Sequence, residues 1–198
     1  MWDERYASED FVYGTEPNDF LRSEVAHAPP GRALCLAEGE GRNAVFLAER
    51  GFDVLAVDSS AVGLQKARRL AADRRVHIDT LVADLKDYAI EPSRWDLIVS
   101  VFCHLPGSAR HRLHRGVVAG LRPGGVFILE SYTPAQLELG TGGPPTTELM
   151  VTLPELTDEL AGLTFEHAVE LERDVLEGRL HTGRGAVVQL RARKPAGG

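Results

Sequence analysis

Cysteine is scarce in this chain: Cys35 and Cys103 are the two in 198 residues, too few and too far apart to staple a disulfide scaffold. That usage fits a reducing compartment. Long apolar runs are missing as well. No stretch reaches the roughly 20 residues that a membrane-spanning helix needs, and the opening MWDERYASEDF is too charged for a secretory leader. The expectation is a cytoplasmic protein with no membrane partner. Basic residues are outnumbered, 22 against 29 acidic ones for a net charge of −7, so no broad cationic face awaits a duplex or a long RNA. Nucleic acid is not an expected partner. There is no internal repeat, and no low-complexity segment beyond the terminal Pro-Ala-Gly-Gly. What is present is globular in balance, 43% hydrophobic and 26% charged, in a length suited to one domain. Composition leaves the oligomeric state open.

The apolar runs are short and punctuated. Arg32–Ala37 (RALCLA) ends in the Gly-containing EGEGRN and passes into NAVFLAER, a helical pattern stopped at Gly51. Phe52–Val57 reads as a buried strand closed by Asp58-Ser59-Ser60, an N-cap cluster for a helix at 61–73. Val76–Val82 alternates in the strand period, and Trp95–Phe102 is a further strand. A helix is expected from Ser108 to Leu121, then a Pro123-Gly124-Gly125 turn and a fifth strand at Val126–Glu130. Strands separated by helices imply a parallel sheet with right-handed crossovers and helices on both faces.

The tail changes character. Residues 134–151 are Gly/Pro/Thr-rich and read as a loop, Leu153–Leu163 as a short helix, and Thr164–Leu176 with Gly185–Arg193 as a long hairpin around EGRLHTGR. The expected fold is thus α/β and Rossmann-like, mostly parallel, ending in a C-terminal antiparallel hairpin. Residues 1–30 form an aromatic leader, 31–133 the ligand-binding core, and 134–198 the loop, helix and hairpin.

Glu38-Gly39-Glu40-Gly41 lies between a strand and a helix. Glycines there let a ligand approach the backbone, and the helix start offers unpaired N–H groups. Gly39-x-Gly41-x-x-Ala44 satisfies the dinucleotide fingerprint, and Asp58, nineteen residues after Gly39, could accept both hydroxyls of a ribose. A nicotinamide cofactor and a sulfonium cofactor both remain open at that point, beside a plain turn with an N-capping Asp. Two features favour the sulfonium. Glu38 and Glu40 put negative charge at the turn, which opposes a pyrophosphate and suits an ammonium. Asp84, in LVADL, is an acid past the third strand that could accept from an adenine amino group.

Together LCLAEGEGRNAVFLAERGFDVLAVDSS, LVADL, WDLIVSVFCHL and LRPGGVFILESY resemble the class I S-adenosylmethionine-dependent methyltransferases, most nearly the small tellurite-resistance and thiopurine-type enzymes. The resemblance implies seven strands, the last pair antiparallel, and a product S-adenosylhomocysteine. It implies that the Gly39 and Gly41 backbones line methionine and ribose, with Asn43 in the same Gly-Arg-Asn element. Asp58 with Ser59 would take the ribose hydroxyls, Asp84 and Leu85 the adenine, and Val101 would lie beneath the cofactor. The family's first-strand acid and first glycine are Cys35 and Ala37 here, and Glu38 could supply the missing carboxylate. Cys35 then reads as a core residue.

Methyl transfer from a sulfonium needs alignment and an available lone pair, and soft anions need no base. Candidate acceptor-side groups stand where strands end: His104 in Phe102-Cys103-His104, Tyr132, and His181 and Arg184 in the hairpin, where the resemblance places a Leu-His pair near the active site. His111 and His114 fall one turn apart, but Arg110, Arg112 and Arg115 surround them and no ligand set is complete, so a solvated helix face is expected and no metal. Trp2, Tyr6, Phe11, Tyr13 and Phe20 are dense for a leader and suggest a lid over the cofactor or a strap on the sheet. The expected function is methyl transfer to a small, soft or anionic acceptor: a thiol, a thiopurine, or a tellurite- or selenite-like oxyanion. The alternatives are a nucleotide-cofactor oxidoreductase and a non-catalytic S-adenosylmethionine-binding protein.

Overall fold

A computed structural model describes residues 2–28, 30–178 and 182–196. In β1 (Arg32–Leu36) successive side chains leave by opposite faces, and both faces are apolar. Ala33 and Cys35 join one core with Phe20, Leu47, Leu64 and Met150, while Leu34 and Leu36 join the other with Trp95, Leu113, Phe127 and Leu156. A strand buried on both faces belongs inside a parallel sheet covered by helices.

The other strands are β2 (Asp53–Asp58), β3 (Asp79–Val82), β4 (Trp95–Val101), β5 (Leu121–Tyr132), β6 (Thr164–Leu176) and β7 (Thr182–Arg193). They form one seven-stranded sheet in the order β3-β2-β1-β4-β5-β7-β6. The first five are parallel, and β7 runs antiparallel to both β5 and β6. The helices are α1 (Trp2–Arg5), α2 (Asp19–Glu24), α3 (Arg42–Glu49), α4 (Ala61–Asp73), α5 (Gly107–Gly120), α6 (Gln136–Leu139) and α7 (Leu153–Glu159). The expected fold class is the observed one.

Several boundaries differ from the pattern-based expectation, each for a local reason. Val76 closes the turn that follows α4, where Arg75 is left-handed (φ +60°) and the Val76 N–H bonds the Ala71 carbonyl, so β3 starts at Asp79. Pro123-Gly124-Gly125 is a bulge inside β5 rather than a turn before it. Pairing jumps from Trp95↔Leu121 to Leu97↔Val126, and a Cβ on Gly125 would stand 2.9 Å from the Arg122 and Trp95 carbonyl oxygens. α7 stops at Glu159, short of Leu163, and β7 starts at Thr182 rather than Gly185. The loop after β5 holds α6 and a single turn at Thr147–Leu149.

The α5 face corrects a second expectation. Arg110 and His114 are buried rather than solvated: Arg110 Nε and Nη2 donate to Glu159, and His114 Nδ1 stands 2.6 Å from the same carboxylate. Their partner lies on α7, out of reach of any helix-period argument. His111, Arg112 and Arg115 are exposed as expected.

Candidate functional site

Strand order reverses between β1 and β4, and there a cavity of about 630 Å³ opens, bounded by residues that follow the carboxyl ends of both strands. Its volume is that of a small-ligand pocket.

One end is acidic. Asp58, the last residue of β2, accepts the Gly39 N–H at Oδ2 and the Ser60 N–H at Oδ1, both at 2.8 Å. Burial pushes its carboxyl above the usual range, and those backbone donors pull it back. Each oxygen keeps a second lone pair, the arrangement a vicinal diol requires. Ser59 beside it lines the cavity, while Ser60 caps α4 by accepting the Gly63 N–H. Glu38 accepts the Asn43 and Ala44 N–H groups at 2.9 Å, so its carboxylate caps α3. Burial nevertheless raises it to about 7. Asn43, Asp84, Leu85 and Val101 also face the cavity, with Asp84 at its open edge receiving the Lys86 N–H.

Three residues of the turn also have structural work, Glu40 from a place on the cavity wall. Glu40 is an anchor: Oε2 accepts the Val12 and Tyr13 N–H groups, and Oε1 meets Lys66 Nζ at 2.5 Å, with both side chains buried. Lys66 in turn donates to the Ser8 and Asp10 carbonyls. The leader is therefore strapped to α4 and to the glycine turn. Gly41 is demanded by packing, since a Cβ there would lie 2.5 Å from that of Ala67, and its φ is +95°. Gly39 (φ +60°) faces Tyr6, whose hydroxyl oxygen would be 2.6 Å from a Cβ. Neither glycine lines the cavity wall, although their neighbours do.

The other end is aromatic. Phe102 adopts φ +50° just past β4, its N–H held by the Glu130 carbonyl. His104 follows and lines the cavity; its ring stacks on Tyr132 at 5.9 Å, and Tyr132 lies 4.7 Å from Phe102. Burial lowers His104 to about 4, against the Leu149 carbonyl, which favours the charged form. The ring is therefore neutral at pH 7, with Nδ1 buried and lacking a hydrogen-bond partner among the described residues. Burial also pushes the Cys103 thiol up to about 12 and the Tyr132 hydroxyl to about 12. Tyr132 stands behind His104, off the cavity wall. Cys35 is fully buried, a core residue.

Arg184 is not at the cavity. It sits on β7, 52% exposed, paired with Glu172 at 3.2 Å and Asp174 at 3.8 Å on the neighbouring β6. The hairpin's cross-strand pairing, invisible in the sequence of its turn, turns that charge outward. His181 lies outside the described residues. In their place the leader brings Trp2, Arg5, Tyr6 and Tyr13 onto the cavity. The aromatic density of residues 1–20 signalled three of these four; nothing in the sequence singled out Arg5.

A family of methyltransferase domains matches residues 33–125. A 2-heptyl-1-hydroxyquinolin-4(1H)-one methyltransferase from Mycobacteroides abscessus is 28% identical over 122 residues, 60% of this chain and 54% of that protein. The chain thus spans about half the length of that curated relative. Among solved structures, one concerning conversion of a disulfide bond into a thioacetal group during echinomycin biosynthesis superposes with a TM-score of 0.76 at 22% identity, over 100% of this chain and 91% of the other. The N-methyltransferase NodS from Bradyrhizobium japonicum, bound to S-adenosyl-L-homocysteine, superposes with a TM-score of 0.75 at 17% identity, over 98% and 96%. A Gly-turn strand, a diol-ready Asp58 and a cavity at the strand-order reversal are thus joined to a family match across the core. Residues 33–125 match a methyltransferase domain, and the chain shares its fold with NodS, an N-methyltransferase whose structure holds S-adenosyl-L-homocysteine.

Proposed function

We propose that the protein methylates a small, soft or anionic acceptor: a thiol, a thiopurine, or a tellurite- or selenite-like oxyanion. The observation that carries this reading is the acceptor end itself. His104 near 4 and a Cys103 thiol near 12 leave no base there matched to neutral pH among the described residues. The carboxyl near 7, Glu38, is committed to the start of α3 at the other end. An acceptor has to arrive as its own anion.

Asp58 and Ser59 hold the ribose in this reading, Asp84 and Leu85 the adenine, and Glu38 with Asn43 the methionine end, with Val101 as the floor. When bound, S-adenosylmethionine supplies an electrophilic methyl on a sulfonium whose departure as a thioether needs no acid. His104, backed by Tyr132, contributes a neutral ring that borders the acceptor and excludes water. The leader, latched by Glu40 and Lys66, acts as the lid that limits the acceptor to a small molecule. The named substrate of the Mycobacteroides relative, a hydroxyquinolone, is of that size class.

The test is release of S-adenosylhomocysteine across thiols, thiopurines, selenite, tellurite, carboxylates and phenols. Turnover is expected with thiol or chalcogen acceptors. Turnover confined to RNA, protein or neutral alcohols would contradict the reading, and cofactor binding without turnover on any acceptor would favour a non-catalytic binding protein.

A further inference from the structure

The cations that border the cavity are not equivalent. Arg42 is buried and paired with Glu177 at 2.6 Å. Lys86 stands beside Asp84, at the edge assigned to adenine. Arg5, by contrast, pairs with no carboxylate among the described residues. Its guanidinium lies 4.9 Å over the Trp2 ring and donates from Nη1 to the Tyr13 hydroxyl at 3.1 Å.

Arg5 is well placed despite sitting on a one-turn helix. Asp3 bonds the Ser60 hydroxyl and the Val62 N–H, Trp2 stacks on Tyr6 at 5.9 Å, and Tyr6 is seated against Gly39 and Gly63. Its positive charge is felt across the cavity, where it helps keep the His104 ring neutral. The cavity that Arg5 and His104 both line is also lined by the flat rings of Trp2, Tyr13 and Phe102 and by Leu149.

We propose that Arg5 is the anion-recognition residue of the acceptor site, and that the acceptor is a small planar ring carrying a carboxylate or comparable anion besides its nucleophilic atom. The anion recognition stands on Arg5 and the walls; the nucleophile rests on the methyl-transfer reading above. A guanidinium matches a carboxylate bidentately, and one already held by a ring and a hydroxyl loses little freedom on binding. In a chain of net charge −7, a local unpaired cation is what lets an anion approach. With an aromatic thiolate as acceptor, a sulfur–carbon bond forms to the methyl group, the carbon–sulfonium bond breaks with its pair going to the departing sulfur, and no proton moves.

The experiment uses the full chain and two matched pairs of probes. Binding of 4-methylbenzoate and 4-methylbenzamide is measured with the protein saturated in S-adenosylhomocysteine, and turnover with 4-mercaptobenzoate and 4-mercaptobenzamide. The carboxylate member is expected to win by about tenfold in affinity and, through KM, in kcat/KM, the scale of one charge-assisted hydrogen-bonded pair. Arg5→Gln should erase the preference with S-adenosylhomocysteine affinity unchanged, and Arg5→Lys should keep part of it. Equal response to both members in the wild type, binding of neither, or a preference that survives Arg5→Gln overturns the proposal. An Arg5-dependent binding preference with no thiol turned over would sink the methyl-transfer reading and leave the anion site standing. Turnover of both thiols without preference would do the reverse.

Discussion

Replacing Glu130 by Ala is expected to lower the unfolding free energy by about 3–5 kcal/mol. Glu130 is fully buried on β5, at the centre of a polar network that joins the leader, the sheet and the hairpin. Its carboxylate accepts from Asn18 Nδ2 at 2.6 Å, from Arg173 Nε and Nη2 at 2.6 and 2.9 Å, and from Gln189 Nε2 at 3.1 Å. Glu177 takes the rest, bonding Arg42, Arg173 and Asn18. With Glu130 gone, two mostly buried guanidiniums share one carboxylate, and an uncompensated buried charge costs more than the pair contributed. At this chain length the melting temperature should fall by about 6–20 °C. Urea melts at matched m-value measure the change, with Glu130→Gln expected to cost less because it keeps an acceptor. A loss below about 1 kcal/mol would mean the network is incidental.

Glu38 should make cofactor binding depend on pH. Unfolded, its carboxyl sits near 4.5; folded, burial holds it near 7. The native state therefore binds the proton more tightly, and this group's contribution to stability, present below about pH 4.5, is lost as pH rises through 7. A bound ammonium reverses the preference, because it favours the carboxylate. S-adenosylhomocysteine affinity should then fall about tenfold from pH 8 to pH 6, because at the lower pH Glu38 must give up its proton for the ammonium to bind. Glu38→Gln keeps an oxygen for the Asn43 and Ala44 N–H groups, so the protein should fold. Its affinity should be flat over that range and weaker at pH 8 by roughly 1.5–3 kcal/mol. Calorimetry in two buffers of different ionisation heat decides the matter; an unaltered pH profile in Glu38→Gln would remove Glu38 from the ammonium.

The parts of this protein that were legible in its sequence are those written in local pattern. The β1–turn–α3 unit, the Ser60 cap of α4 and the long hairpin each declare themselves within about thirty residues, and so does the acid at the end of β2. Local pattern is silent where a distant partner holds a residue. Glu40 reads as a ligand acid because it stands in the glycine turn, yet its partners are Lys66 in mid-helix and the backbone of the leader. Glu130 and Asn18 are 112 residues apart, and no periodicity links them. Arg184 reads as an active-site cation from its place near a turn, and cross-strand carboxylates claim it. Arg5 gave no signal, because its value depends on where the leader folds back.

The most direct measurement is a calorimetric titration of S-adenosylhomocysteine into wild type and Asp58→Ala. Asp58 ends β2 with both oxygens oriented by backbone donors and a lone pair on each still available, so it anchors the whole assignment of the cavity. The wild type should bind in the micromolar range, about −8 kcal/mol, and the variant should lose roughly 1.5–3 kcal/mol while remaining folded. No heat of binding in the wild type, or equal affinity in the variant, would contradict the account.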